Sequence, residues 1–277
     1  MNTFTSGSFE LRGIPVHFQQ GGSGLPLLMI HGSGPGVSSM GNWQCVIEPL
    51  AARFNVFAAD LIGFGRSGRK THMPFFDLEL WLEQCREMIK RMPGDRIGVI
   101  GHSLGGALAL KLAASEPRIV KVMTTATLGA RFPLNDSAIS TWTFPKDRDA
   151  LRETAKRLIA NHALIDETYI ANREKILFDG EYERYFASMF EGDKQRYIDA
   201  TALSDDELAR ITADVLMLHG RDDPGFPAAP LTLTLARSLP QADVVLLARC
   251  SHSIAYEHPD KFLRLAIAFF GSGQGIG

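Results

Sequence analysis

Two kinds of hydrophobic segment alternate along the chain. Short, largely apolar runs recur: Pro26-Leu27-Leu28-Met29-Ile30 is continuous, and residues 54–59, 96–100, 119–124, 215–219 and 244–247 are mostly apolar. Runs of that length mark strands covered on both faces. Between them lie segments with apolar residues at helical spacing. Helices are expected at about 43–53, from Asp77 to 92, from the glycines after 103 to about 115, and over 230–239 and 259–270. In the second of these Asp77 is placed to cap, and Leu78, Trp81, Leu82, Cys85 and Ile89 form the buried stripe. Residues 8–19 read as a hairpin, with Gly13-Ile14-Pro15 as its turn. Strand–helix alternation of this kind predicts an α/β fold, a mostly parallel central sheet flanked by helices.

The pattern breaks at about residue 130. Residues 131–204 contain no buried-strand run. Arg, Glu, Lys, Phe and Tyr recur there at helical spacing, as in Leu151, Ala155, Leu158 and Ile159. The segment is expected to form several short helices inserted as a lid over the strand ends, a cover that excludes water; a second packing domain without gating is the alternative. The expected organisation is a first core part at 1–130, a helical lid at 131–204 and a second core part at 205–277.

Composition narrows the partners. Of the 277 residues, 45% are hydrophobic and 22% are charged, with a formal net charge of -2. That balance does not invite nucleic acid or an anionic membrane. Three separated cysteines give neither a disulfide framework nor a metal knuckle, so a reducing compartment is expected. No signal peptide, membrane-spanning run or repeat is read in the chain, and a cytoplasmic location is the default.

The candidate chemistry centres on Gly101-His102-Ser103-Leu104-Gly105-Gly106. An apolar strand leads in and an Ala/Leu-rich helix leads out, the context of the G-x-S-x-G nucleophile elbow. Gly101 and Gly105 let strand and helix approach closely around Ser103. A serine needs a base, an acid and an oxyanion hole. The acid should follow a late strand, where Gly220-Arg221-Asp222-Asp223 lies. Asp223 is preferred because it stands further into the loop; Asp222 would then form a salt bridge or cap the turn. The base should follow the last strand, which points to His252. His31, His102, His219 and His258 compete, with His258 reading as helix-start surface and His219 as structural or pocket-lining. The oxyanion donors are expected to be the Leu104 N–H and one from His31-Gly32-Ser33-Gly34-Pro35-Gly36, at Ser33 or Gly34. The eight histidines show no metal-ligand spacing, and no glycine pattern fits a dinucleotide, so neither metal nor cofactor is expected.

These residues resemble the α/β-hydrolase superfamily over nearly the whole chain. Within it the chain is most similar to the meta-cleavage product hydrolases, the carbon–carbon bond hydrolases of bacterial aromatic degradation. The resemblance is carried by residues 31–37, Asn42-Trp43, Asp60-Leu61-Ile62-Gly63-Phe64-Gly65-Arg66-Ser67, the Asp222-Asp223 segment and Cys250-Ser251-His252 with Glu257-His258-Pro259. It implies substrates of the 2-hydroxy-6-oxo-hexa-2,4-dienoate type. These are cleaved to 2-hydroxypenta-2,4-dienoate and a carboxylic acid. It further implies Ser103, Asp223 and His252 as triad, the amides of Ser33 and Leu104 as oxyanion hole, and Asn42 and Arg173 as substrate-binding residues. His252 would help ketonise the dienol, and Ser103 would attack C6 or activate water to do so. An arginine fork suits a carboxylate, although Arg173 could instead pair with a lid glutamate. The family's homodimer or larger homo-oligomer is implied as well. Three features differ from the family pattern: His102 where Asn is usual, Ser253 where many members carry Trp, and Pro224-Gly225-Phe226-Pro227 beside the acid. The second reading is a carboxylesterase or other small-acyl serine hydrolase, which His102 favours. Phe132, Trp142, Phe144 and Phe226 are candidates for the wall around the C6 substituent, or equally for core.

Overall fold

The computed structural model describes residues 4–272. Eight strands form one sheet: β1 (Thr5–Leu11), β2 (Ile14–Gly21), β3 (Pro26–Ile30), β4 (Asn55–Ala59), β5 (Ile97–His102), β6 (Ile119–Thr125), β7 (Asp214–Gly220) and β8 (Ala242–Leu247). Their spatial order is β1-β2-β4-β3-β5-β6-β7-β8. The β1–β2 and β2–β4 pairs are antiparallel, and every other pair is parallel. All five residues of β3 and all six of β5 are buried, as expected of strands with helices on both faces. Alternate side chains serve opposite layers. Leu28 and Ile30 join the core cluster that includes the inserted helices, while Leu27 and Met29 join the one around Phe262 and Phe270.

The helices are α1 (Ser39–Trp43), α2 (Ile47–Ala51), α3 (Leu78–Arg91), α4 (Leu104–Ala113), α5 (Asp136–Thr141), α6 (Arg148–Leu158), α7 (Glu167–Leu177), α8 (Tyr182–Met189), α9 (Gln195–Thr201), α10 (Asp205–Ala209), α11 (Thr232–Arg237), α12 (Ile254–Glu257) and α13 (Pro259–Gly271). Among the described residues, none is long and apolar enough to cross a membrane. The Asp77 carboxylate caps α3 by accepting from Leu80 N–H. Two local expectations are corrected. The first hairpin turns at Arg12-Gly13, both at positive φ (51° and 74°), and Ile14 and Pro15 already belong to β2. The helix expected at 43–53 is two short helices. Pro49 is tolerated in the first turn of α2, but in a continuous helix its ring would clash with the carbonyl four residues back.

Helices α5 to α10 all fall between β6 and β7. This insertion has its own aromatic centre, in which Trp142 stacks on Phe190 at 5.2 Å and Phe190 meets Phe186 at 5.0 Å. It is tied to the loop after β8. Glu257 accepts from the N–H groups of Ala160, Asn161 and Ser251, and Ser253 N–H donates to the Leu158 carbonyl. The sequence order reverses direction across the sheet at β3, with β4 on one side and β5 on the other. Loops leaving the carboxyl ends of β3 and β5 therefore face one crevice, where open α/β sheets place their ligands.

Candidate active site

Ser103 stands between the end of β5 and the first residue of α4, at φ 55° and ψ -117°. A non-glycine residue held there stores about 1–3 kcal/mol of strain, so the surroundings must over-determine it. They do so through close packing. A Cβ on Gly101 would lie 2.2 Å from the Gly105 carbonyl oxygen, and one on Gly105 2.3 Å from that of Ile30. The Ser103 N–H donates to Thr125 O at 2.9 Å, and its carbonyl accepts from Gly106, Ala107 and Leu128. The strained turn projects the hydroxyl into a cavity also lined by His252, Asn42, Arg173, Trp142 and Phe226.

Asp223 and His252 come from the loops after β7 and β8. His252 Nδ1 lies 2.6 Å from Asp223 Oδ2, and both residues are buried. The other carboxylate oxygen accepts from Gly225 and Phe226 N–H at 3.1 and 2.9 Å. An acceptor fixed on Nδ1 selects the tautomer with the proton there, leaving Nε2 as a base facing the cavity. Asp222 is exposed and lies 4.0 Å from Arg221. Ser103 and His252 share the cavity without a hydrogen bond between them. Such bonds commonly tighten only when substrate is bound.

Ser33 lines the cavity with Ser103, and Leu104 directly follows the nucleophile. Leu104 is the first residue of α4, so its N–H has no acceptor within the helix. The Ser33 N–H also takes no protein acceptor among the described residues. Asn42 Oδ1 accepts from Gly32 N–H at 3.3 Å, steadying the loop while its amide nitrogen remains to donate. Arg173 donates to Pro35 O at 3.0 Å and lies over the Tyr169 ring at 4.8 Å. No carboxylate pairs with it among the described residues. The neighbouring lid acids are engaged elsewhere, Glu174 with Arg148 and Glu167 with Arg148 and Arg152. The alternative of a lid salt bridge therefore does not describe Arg173.

The other histidines have separate duties. His31 Nδ1 donates to Gly32 O, and its Nε2 accepts from Leu61 N–H. His219 bridges Thr232 and the Phe226 carbonyl, bracing the acid loop. His102 Nδ1 contacts Thr125, and its ring meets that of His252 edge-on at 4.8 Å. Burial holds the pKa values of His31 and His219 down. Burial, then the charge of His252, pushes that of His102 well below the usual imidazole value. His258 stands at the N-cap position of α13 without a side-chain cap bond, its Nε2 lying against the Arg249 carbonyl.

Trp142 and Phe226 line the cavity, whereas Phe132 packs behind Phe226 and Phe144 against Phe178 and Phe186. Two contacts have no local sequence signal. Trp142 Nε1 donates to Ser33 Oγ at 3.0 Å, joining positions 109 residues apart. Tyr169 and Tyr256, 5.4 Å apart, close another part of the cavity. Glu257 lies in the segment that carries the family resemblance, yet its bonds to the insertion are visible only in three dimensions.

A parallel sheet with a nucleophile elbow and buried Asp–His pair defines an α/β-hydrolase. The family model described as "Alpha/beta hydrolase family" matches residues 27–265. A 2-hydroxy-6-oxo-2,4-heptadienoate hydrolase of Pseudomonas putida is 30% identical over 261 residues, covering 94% of each chain. A 2-hydroxymuconate semialdehyde hydrolase of a Pseudomonas strain is 28% identical, over 95% of this chain and 92% of its own. Among solved structures, a meta-cleavage product hydrolase from Pseudomonas fluorescens superposes with TM-score 0.90 at 26% identity, covering 96% of this chain and 97% of that one. The chain belongs to the meta-cleavage product hydrolases, the carbon–carbon bond hydrolases of the α/β-hydrolase superfamily.

Proposed function

We propose that this enzyme hydrolyses a 2-hydroxy-6-oxo-hexa-2,4-dienoate-type product to 2-hydroxypenta-2,4-dienoate and a small carboxylic acid. The observation that carries the reading is Arg173. It is a cation without a carboxylate partner, fixed by Pro35 and Tyr169 and facing the cavity of Ser103 and His252. A buried-facing guanidinium of this kind is complementary to a substrate carboxylate.

The proposed roles are these. Arg173 and Asn42 hold the polar end of the dienoate. His252, oriented by Asp223, relays the 2-hydroxyl proton to C5. The resulting 2-oxo group can then accept electrons from the C5–C6 bond through the remaining double bond. Ser103, or water that it activates, adds to the C6 carbonyl as His252 takes the proton. The oxyanion rests on the Ser33 and Leu104 amides, the preorganised donors such a step requires. Collapse breaks C5–C6, leaving the dienolate to be protonated and the acyl carbon bearing the new C–O bond. If Ser103 is acylated, water releases the acid.

The relatives of 30% and 28% identity are named for a heptadienoate and a semialdehyde, whose C6 carries methyl and hydrogen. Trp142 and Phe226 are the large aromatic side chains in the cavity wall beside Ser33 and His252. Trp142, held by Ser33 and Phe190, and Phe226, against His252 at 4.7 Å, take up the acyl side. The proposed preference is therefore for hydrogen or methyl over phenyl at C6. The proposal includes a cytoplasmic location and a homodimer or larger homo-oligomer, as in the family. The small-acyl esterase reading draws support from His102 beside His252. A kinetic panel of hydrogen, methyl and phenyl dienoates beside p-nitrophenyl acetate tests the two readings. Dienoate turnover with small substituents preferred supports the first; turnover of the ester alone overturns it.

A further inference from the structure

A second cavity, of about 430 Å3, adjoins the inner one and shares Val37, Gly41, Tyr169 and Arg173 with it. Its remaining polar lining includes Arg66, Asn172, Gln44 and Ser38, and no Asp or Glu lines it. Arg66 makes no side-chain hydrogen bond or ion pair among the described residues. Its backbone is nevertheless fixed, because Arg66 N–H donates at 2.9 Å to Asp60. That carboxylate is buried beneath the loop and also accepts from Ser39 N–H. Two arginines without carboxylate partners thus line the outer cavity, Arg66 exposed there and Arg173 common to both cavities. In a chain of net charge -2, an acid-free wall with two cations concentrates anions locally.

We propose that the outer cavity is an anion-docking subsite. Arg66 captures the carboxylate of an incoming unsaturated acid, and Arg173 receives it as the molecule moves to the inner site. This rests on the reading of the substrate as an anionic dienoate. Arg66 acts on arrival, so its loss should lower kcat/KM and leave kcat largely in place.

The test measures association of sorbate, a non-hydrolysable 2,4-dienoate anion, by stopped-flow tryptophan fluorescence. It compares the wild type with Arg66→Gln and Arg66→Lys at low and high ionic strength, with thermal melting to establish folding. At low salt Arg66→Gln should bind sorbate about three- to tenfold more slowly. The gap should close at high salt, and Arg66→Lys should remain within about twofold of wild type because the charge is kept. Methyl sorbate, which is neutral, should bind the wild type without salt dependence. Equal association by wild type and Arg66→Gln at both salts overturns the proposal, as does a loss in Arg66→Lys equal to that in Arg66→Gln. If Arg66 governs sorbate association but the enzyme turns over no dienoate, the docking site stands and the substrate reading fails. The converse pair of results keeps the substrate reading and removes the docking site.

Discussion

Replacing Trp142 should change which acyl group the enzyme accepts. The indole is 2% exposed, stacked within 7° of parallel on Phe190 and hydrogen-bonded to Ser33 Oγ. It cannot swing aside without giving up both contacts. With the acyl side of the substrate against this wall as proposed, a phenyl group at C6 would overlap it, and forcing extra atoms into a packed interior costs about 1–3 kcal/mol. Trp142→Ala removes a side chain larger than a phenyl ring. Since 1.36 kcal/mol is tenfold in rate, the ratio of kcat/KM for the phenyl substrate to that for the methyl one should rise about 5- to 150-fold. The same change empties a core position at a cost of about 3–5 kcal/mol. Trp142→Leu, which leaves a smaller void, is the companion variant and should show the same shift more weakly. The assay follows loss of dienoate absorbance across both substrates, with circular dichroism and melting temperature as the folding control. An unchanged phenyl-to-methyl ratio in a folded Trp142→Ala enzyme would refute the assignment of this wall to the acyl side.

Three further outcomes follow from the contacts. Burial keeps His31, His102 and His219 neutral in the folded chain below the usual imidazole pKa, while the unfolded chain takes up protons near pH 6.5. Their stabilising contribution is thus complete above that pH and is lost as pH falls. Denaturant titrations should show stability declining below pH 6.5 by up to about 1.4 kcal/mol per pH unit for each such group, less steeply in His102→Asn; a flat profile from pH 6.5 to 5 would contradict this. Gly105→Ala would set a Cβ 2.3 Å from the Ile30 carbonyl, so it should cost at least about 3 kcal/mol and abolish activity, read by melting and turnover together. Glu257→Gln removes a carboxylate that holds three backbone N–H groups across the insertion and the base loop. It should lower the melting temperature by roughly 3–10 °C, for a loss of about 1.5–3 kcal/mol.

What the chain declares locally is uneven. The parallel strands are legible because burial on both faces leaves no polar alternation, as in Pro26–Ile30. The elbow is legible because glycines are required where backbones touch, at Gly101 and Gly105. The helices around Pro49 and the turn at Arg12-Gly13 were not, since a proline inside a helix and positive φ at an arginine run against local preference. The order of Ser103, Asp223 and His252 in the chain can be read directly, and the structure places the last two in hydrogen-bonding contact. Arg173 is different. Its sequence surroundings offer a glutamate at the next position, and only the fold assigns that glutamate to Arg148. The Trp142–Ser33 bond and the Arg66 cavity depend on which segments the insertion brings together, information that no short motif carries.

The most direct test compares kcat/KM for 2-hydroxy-6-oxo-hepta-2,4-dienoate and p-nitrophenyl acetate in wild type and Arg173→Gln. Wild type should prefer the dienoate. A charge-assisted hydrogen bond contributes about 1.5–3 kcal/mol, so Arg173→Gln should lose about 10- to 150-fold on the dienoate and far less on the neutral ester. A wild type that prefers the ester, with Arg173→Gln affecting both substrates alike, would contradict carbon–carbon bond hydrolysis of an anionic dienoate at this site.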